Sequence, residues 1–409
     1  MGNVKRFQEK KSSVEKKVYI LCQEESSIGI LRAFDALFGT ELADGGVNNG
    51  TLRDGELVIE VAAFGEDLGK ECQEFIRKQI NTVCGRFALV ETEHLDVKIN
   101  ALHQLNGSKG FAALKYSYPG KRDEEAESAI LTPLFEVLSK VRGLLLADGG
   151  SRLLNEDGKL VLSDGGESEF EWFMPYERPL PQNFFAGAPQ DALRRRNQSL
   201  EAARARHIHV TEWLPLIESE QDAHFRSARE IAGRAAALMI VALYSELLLS
   251  EQETTQKARE FIQPIVECYG AGAFFSPKER AYLEDDNSTE QDRVQFVWQY
   301  EPLLVMLWAL GYEEELSFPD RICDVAALVR TMREHDSIQA LLEQARPRGG
   351  DELLCAADLT YRLDWACVDA RIHGLPAPGG MDGGVVMERH KALNWLVCGD
   401  DWDEVDIST

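Results

Sequence analysis

The sequence predicts an α+β protein in two parts. Residues 17–165 read as an N-terminal α/β domain with a small mixed sheet, and residues 190–409 as an all-helical domain. Three observations carry this. Short aliphatic runs bounded by turn residues alternate with segments of helical period up to about residue 165. The stretch 164–189 is rich in Gly, Pro and aromatics, and a linker is expected at 166–189. Beyond it the strand signal stops and helical periodicity remains.

Residues 1–16 are charged and expected to fray. Val18-Tyr-Ile-Leu-Cys22 is an apolar run of strand length. Residues 26–38 place Ile28, Leu31 and Phe34 at helical spacing. A Gly/Asn-rich turn at 44–50 leads to a second strand at 56–64. Helices are expected at 66–83, 92–105 and 123–141, with a strand at 111–116. The runs 143–147, 152–154 and 159–162 are separated by Gly149-Gly150 and Asp157-Gly158, which reads as a small meander closed by tight turns. In the second part a polar helix is expected at 192–206. Ser227-x-x-Glu230 has the form of a capping box opening an apolar helix to about Leu249. Ser288-x-x-Gln291 repeats that form before a helix at 294–311. Further helices at 321–335, 351–373 and 384–398 bring the expectation to six to eight.

The 409 residues suffice for two or three domains. A net charge of −25 argues against a nucleic-acid partner, because phosphate binding relies on Lys and Arg. It equally disfavours an anionic membrane surface. The most apolar stretch, 235–249, holds Ser245 and Glu246 and is too short and too polar to span a bilayer. The N-terminus starts like a myristoylation signal but has Arg6 where Ser or Thr is needed, and no signal-peptide apolar region follows. Eight scattered cysteines form no C-x-x-C pair, so zinc ribbons and thioredoxin-type motifs find no support. Free thiols point to a reducing, cytoplasmic setting.

The candidate chemistry lies in the last third. Trp298, Glu301, Val305 and Trp308 share one helical face. A carboxylate between tryptophans needs a cation or a raised pKa, because burying a lone charge is costly. Arg362 and Arg389 are the expected partners of Glu301. Pro302 removes the backbone bond to the Trp298 carbonyl and predicts a kink. Asp358, Arg362, Trp365 and Asp369 form a second mixed stripe, in which Asp358 and Arg362 suit an i,i+4 pair. The Gly-rich segment 374–384 precedes a helix and could face an anion, but Asp382 reads better as the N-cap. Next come Glu388, Arg389, His390 and Asn394, followed by an acidic tail containing Asp401 and Asp403. A histidine among carboxylates suits a general base or metal ligand, or a hydrogen-bonded core residue beside a solvated tail. Without H-E-x-x-H or a second histidine at ligand spacing, no metal is expected. His207-x-His209 stands alone.

Trp298, Trp308, Trp365, Trp395 and Trp402 fit either a helical core or the lining of a pocket around these polar residues. Trp402 and Val405 are three residues apart, which predicts that the tail folds back on the Trp395 helix and holds Asp401 or Asp403 near Arg389 or His390. Arg194-Arg195-Arg196 reads as a solvated helix face. No G-x-S-x-G elbow and no cysteine in a cationic context suggests a nucleophile.

Several of these pieces, in order and spacing, resemble a known family. They are Arg226-Ser-Ala-Arg-Glu-Ile-Ala-Gly-Arg-Ala-Ala-Ala-Leu238, Ser288-Thr-Glu-Gln-Asp-Arg293, Trp298-Gln-Tyr-Glu301, Leu307-Trp-Ala-Leu-Gly311, Tyr361-Arg-Leu-Asp-Trp365, Glu388-Arg-His-Lys-Ala-Leu-Asn-Trp395 and Trp402-Asp-Glu-Val405. Over about 190–409 the chain is similar to the domain of unknown function 4272. The resemblance implies a mostly helical, largely bacterial domain, here a longer form with an N-terminal α/β extension; it points to no particular activity and leaves function open. Three function classes are compatible with the residues. The leading one is a non-catalytic binding or interaction protein with a protein or small-molecule partner. The others are a hydrolase, metal-assisted or not, using Glu301, Arg362, His390 and the tail aspartates, and an acidic protein neutralising a basic toxin-like partner.

Overall fold

The computed structural model describes residues 13–38, 48–54, 57–119, 124–177, 180–250 and 254–409. Residues 1–12 of the start expected to fray, most of the 44–50 turn, Glu56 and Asp123 lie outside the described residues. The chain divides into two units, Met1–Pro179 and Leu180–Thr409.

Unit 1 runs β1 (Ser13–Cys22), α1 (Ser27–Phe38), β2 (Asn49–Asp54), β3 (Leu57–Phe64), α2 (Lys70–Ala88), α3 (Leu95–Asn106), β4 (Gly110–Pro119), α4 (Glu124–Val141), β5 (Gly143–Ala147), β6 (Arg152–Leu154) and β7 (Leu160–Ser163). The strands form one sheet in the order β2-β3-β4-β1-β5-β6-β7. Each neighbouring pair is antiparallel, where a mixed sheet was expected. Periodicity marks which residues enter a sheet; the connections decide which way neighbours run. β1 begins at Ser13, inside the segment expected to fray, because its polar start pairs through the backbone, Ser13 opposite Pro119 and Lys16 opposite Tyr116. One sheet face is covered by α1 and α4, where Ile30, Phe34, Leu134 and Leu138 meet Val18, Ile20, Ile59, Leu114 and Leu145. The helix expected from 66 starts at Lys70, because Gly69 takes φ +89° and interrupts it.

The division between the units falls inside the segment expected as a linker. Its first half is held by α3: Asn100 Nδ2 donates to the Phe173 carbonyl at 2.9 Å, and the Tyr176 amide donates to Gln104 Oε1 at 2.9 Å.

Unit 2 is helical: α5 (Gln190–Arg204), α6 (Ala228–Leu249), α7 (Thr255–Tyr269), α8 (Pro277–Glu284), α9 (Glu290–Val297), α10 (Tyr300–Ala309), α11 (Val325–Arg333), α12 (Ile338–Gln344), α13 (Gly350–Ile372) and α14 (Gly383–Val397). These exceed the six to eight expected. α7, α8 and α12 were not among the helices expected; α8 and α12 are short with small buried faces, whereas α7 buries Ala258, Ile262 and Tyr269 on one clear apolar stripe. The Ser227–Glu230 capping box forms and opens α6. α6 is buried on nearly every side and forms the core with α10, through residues such as Leu238, Tyr244, Leu303 and Leu307. It is long and apolar enough to cross a membrane, but 83% of the relevant window is buried inside the protein, as in a core helix.

The helix expected at 294–311 is two helices, broken at Trp298–Gln299. Pro302 therefore occupies the first turn of α10, where a missing N–H leaves no helical bond unmade. The cap preceding α9 is Thr289 with Asp292, one residue later than expected: Thr289 Oγ1 accepts from the Asp292 amide at 3.1 Å.

Candidate functional site

The polar residues singled out in the sequence divide into separate sets. Glu301 is 2% exposed and pairs with Arg389, 3.0 Å between Oε2 and Nε, while its Oε1 accepts the Cys323 amide. Arg389 Nη1 also donates to the Ser317 carbonyl at 2.6 Å. The pair thus ties α10 and α14 to the connection before α11. Arg362 does not join it. Arg362 is buried against Asp358 one turn earlier, through Nε at 2.8 Å and Nη2 at 2.9 Å. Asp369 lies one turn before His373, 3.5 Å from its Nδ1.

His390 is the centre of a third set. Its Nδ1 lies 2.8 Å from Asp364 Oδ2, and Asn394 Nδ2 lies 3.0 Å from Nε2. With Asn394 donating, Nε2 accepts and Nδ1 holds the proton against the carboxylate. Both ring nitrogens are occupied, which leaves no lone pair for a substrate proton or a metal.

The tail docks, but not through the contacts expected of its acids. Trp402 is 5% exposed and packs edge-on against Trp395, with ring centroids 5.7 Å apart. Asn394 Nδ2 donates to the Asp406 carbonyl at 2.9 Å. Asp403 caps α8 instead of reaching Arg389 or His390: its Oδ2 accepts the Lys278 amide at 2.9 Å. A carboxylate there meets the free N–H groups and positive end of the helix. Asp401 is exposed.

The tryptophans likewise do not line one pocket. Trp298 sits at the α9–α10 break beside Gly384. Trp308 lies under the Arg348 guanidinium at 4.7 Å, and Trp365 packs against His209. The three arginines expected on a solvated face are mostly buried. Arg195 is 0% and Arg196 7% exposed. Asp191 and the Glu218 carbonyl take up Arg195, and the Glu212 carbonyl accepts from Arg196. Only Arg194 stays at the surface, paired with Asp351.

Part of the motif set meets at an open cleft of about 440 Å³. α8 supplies Lys278, Glu279 and Tyr282; α9 and its end supply Phe296 and Gln299; α14 supplies Glu388 and Lys391; the tail supplies Trp402 and Asp403. Tyr282 and Phe296 stack, with centroids 4.0 Å apart, and make an aromatic wall. Burial pushes the Tyr282 hydroxyl up to about 12, while Ser245 Oγ lies 2.8 Å from it. Glu279 is neutralised by a buried pair with Arg234. Trp402 lies between two cations: Arg234 at 4.7 Å and Lys391 at 4.8 Å from its ring centroid. Burial, with the nearby Glu301 charge, raises the Glu388 carboxyl above its usual range, and Lys391 opposes this. Burial lowers the Lys391 ammonium, against the pull of Glu388 and Asp403.

The model of the family described as domain of unknown function (DUF4272) matches residues 195–405. The chain belongs to this family. No curated protein and no solved structure matches. Every residue of the cleft lies within the matched DUF4272 span, and the sheet of unit 1 lies outside it.

Of the expected site residues, only Glu388, Trp402 and Asp403 reach the cleft of this DUF4272 chain. Gln299 and Lys391 were missed. Both stand inside motifs already singled out, Trp298-Gln-Tyr-Glu301 and Glu388-Arg-His-Lys391. The available signal was a polar side chain two residues from a member of the Glu301–Arg389 pair, a spacing that turns it away from the buried face and can bring it to a rim.

Proposed function

We propose that the helical unit is a non-catalytic binding module that takes a small ligand in the cleft between α8, α9, α14 and the tail. One observation carries this reading: the cleft holds polar side chains whose hydrogen-bonding atoms are not taken up by the protein. Gln299 is 8% exposed, lines the cleft, and its Oε1 has no hydrogen-bond partner. Among the described residues, Glu388 and Lys391 make no hydrogen bond or ion pair. Buried polar groups are normally satisfied, so the open Gln299 acceptor, beside half-buried Glu388 and Lys391 and an aromatic wall, favours a ligand. The hydrolase reading has less support. An enzyme needs its polar residues in one cleft, whereas Glu301, Arg362 and His390 each belong to a different pair. All eight cysteines are free, which supports a reducing, cytoplasmic setting.

Thermal-shift screening of the full chain against amines, carboxylates, amino acids, sugars and nucleotides tests the proposal. The expected result is stabilisation by one class that Gln299→Leu weakens. A panel that shifts nothing, or a shift that Gln299→Leu leaves intact, overturns it.

A further inference from the structure

We propose that the cleft accepts a zwitterion, its ammonium directed to Glu388 and Gln299, its carboxylate to Lys391, and its apolar body to the Tyr282–Phe296 wall. This rests on the reading of the cleft as a ligand site. The argument starts from what each group lacks. Lys391 stands over the Trp402 ring at 4.8 Å, which favours a cation but leaves its three N–H donors unused. Glu388 precedes it by three residues on α14, at a spacing where opposite charges commonly meet, yet the two form no ion pair among the described residues. Gln299 Oε1 adds a neutral acceptor that needs a donor.

The ligand must answer all three. A simple cation would meet Glu388 and Gln299 but leave the Lys391 N–H donors unused; a simple anion would do the reverse. A molecule carrying both charges gives each of the three groups a partner, while the other acids of the lining are engaged within the protein: Glu279 with Arg234, Asp403 with the Lys278 amide, Asp285 with the Asn287 amide and Asp292 with Thr289. Both protein charges are already partly desolvated, as the upward shift of Glu388 and the downward shift of Lys391 indicate. A partner of opposite charge offsets that cost. A cleft of about 440 Å³ suits a compact ligand of amino-acid to dipeptide size. The shared chemistry, ammonium plus carboxylate, can come from a free amino acid, where both sit on one carbon, or from a short peptide, where peptide units separate them.

Isothermal titration of the full chain tests this with the standard L-amino acids, the dipeptide Phe-Ala, phenethylamine and 3-phenylpropionate. A zwitterion should bind at least about tenfold more tightly than either single-charge analogue, since truncating one partner of a buried charge pair typically costs that much or more. Lys391→Met should erase its advantage over phenethylamine, and Glu388→Gln its advantage over 3-phenylpropionate. Tighter binding of the dipeptide assigns the cleft to peptides, and tighter binding of an amino acid assigns it to free amino acids. Single-charge analogues that bind as well as zwitterions, or variants that change neither ratio, overturn the proposal. If no zwitterion binds but another class shifts the melting curve through Gln299, the cleft remains a ligand site and the zwitterion is wrong. If nothing binds, both readings fall.

Discussion

Glu301 and Arg389, 88 residues apart in sequence, close a buried ion pair at 3.0 Å that joins the start of α10 to the middle of α14. The same arginine holds the Ser317 carbonyl, and the same glutamate the Cys323 amide. The pair therefore fixes three pieces of chain behind the cleft wall on which Glu388 and Lys391 stand.

Glu301→Ala leaves Arg389 buried without its counter-charge and should cost about 3–5 kcal/mol of stability. Glu301→Leu with Arg389→Met removes both charges and should recover much of that loss. Urea denaturation of the variants measures it. A single variant within about 0.5 kcal/mol of wild type would place the pair among interactions of surface strength.

Deleting 400–409 removes Trp402 from the Trp395 edge, Asp403 from the α8 N-terminus and the Asp406 carbonyl from Asn394. Truncating a buried tryptophan commonly costs about 3–5 kcal/mol. The melting temperature should fall and the fluorescence of Trp395 should change. Trp402→Ala alone should account for most of the loss. An unchanged melting curve would mean that the tail adds nothing to the fold.

Glu388→Gln should raise stability at neutral pH, with the gain gone in acid. The Glu388 carboxyl is raised above 4.5, so between the two values the folded chain binds more protons than the unfolded one. Stability then falls as pH rises through that window. Glutamine imitates the protonated form and escapes the penalty above the window; below 4.5 the wild type is protonated in both states and the difference vanishes. Urea midpoints at pH 7 and pH 4 check this. A gain of equal size at both pH values would tie the effect to packing instead of charge.

Residues 180–409 should fold alone, because α6, α10 and their neighbours enclose a core built wholly from that unit. Expressed by itself, this segment should unfold cooperatively and keep its near-ultraviolet circular dichroism. A molten product would show that its core needs unit 1.

Local devices were legible in the sequence. The Ser227–Glu230 box, the Asp382 cap and the Asp358–Arg362 pair join residues at most four positions apart, so residue type and spacing specify them. Stripe arguments reached further: Trp298, Val305 and Trp308 around Glu301 implied a buried charge, and Trp402 with Val405 implied a docked tail. Pro302 marked the disturbance at Trp298, whose carbonyl lies four residues before it, but not that the helix would separate into two there instead of kinking. The buried Arg195 and Arg196 were misread because, beyond the legible Asp191–Arg195 spacing, each also donates to a carbonyl of the following loop, and backbone acceptors leave no mark in residue type.

By itself, then, the sequence determined the α+β class, the family, the apolar core helix and the presence of a buried carboxylate. Each is written in composition, period or short spacing. Only the tertiary structure decided which arginine Glu301 takes, that His390 is fully engaged, and that Gln299, Glu388 and Lys391 share one cleft with groups from α8 and the tail. Those outcomes depend on where helices separated by tens of residues come to rest. Several arginines and carboxylates could pair on charge alone, and packing of the apolar faces chooses among them.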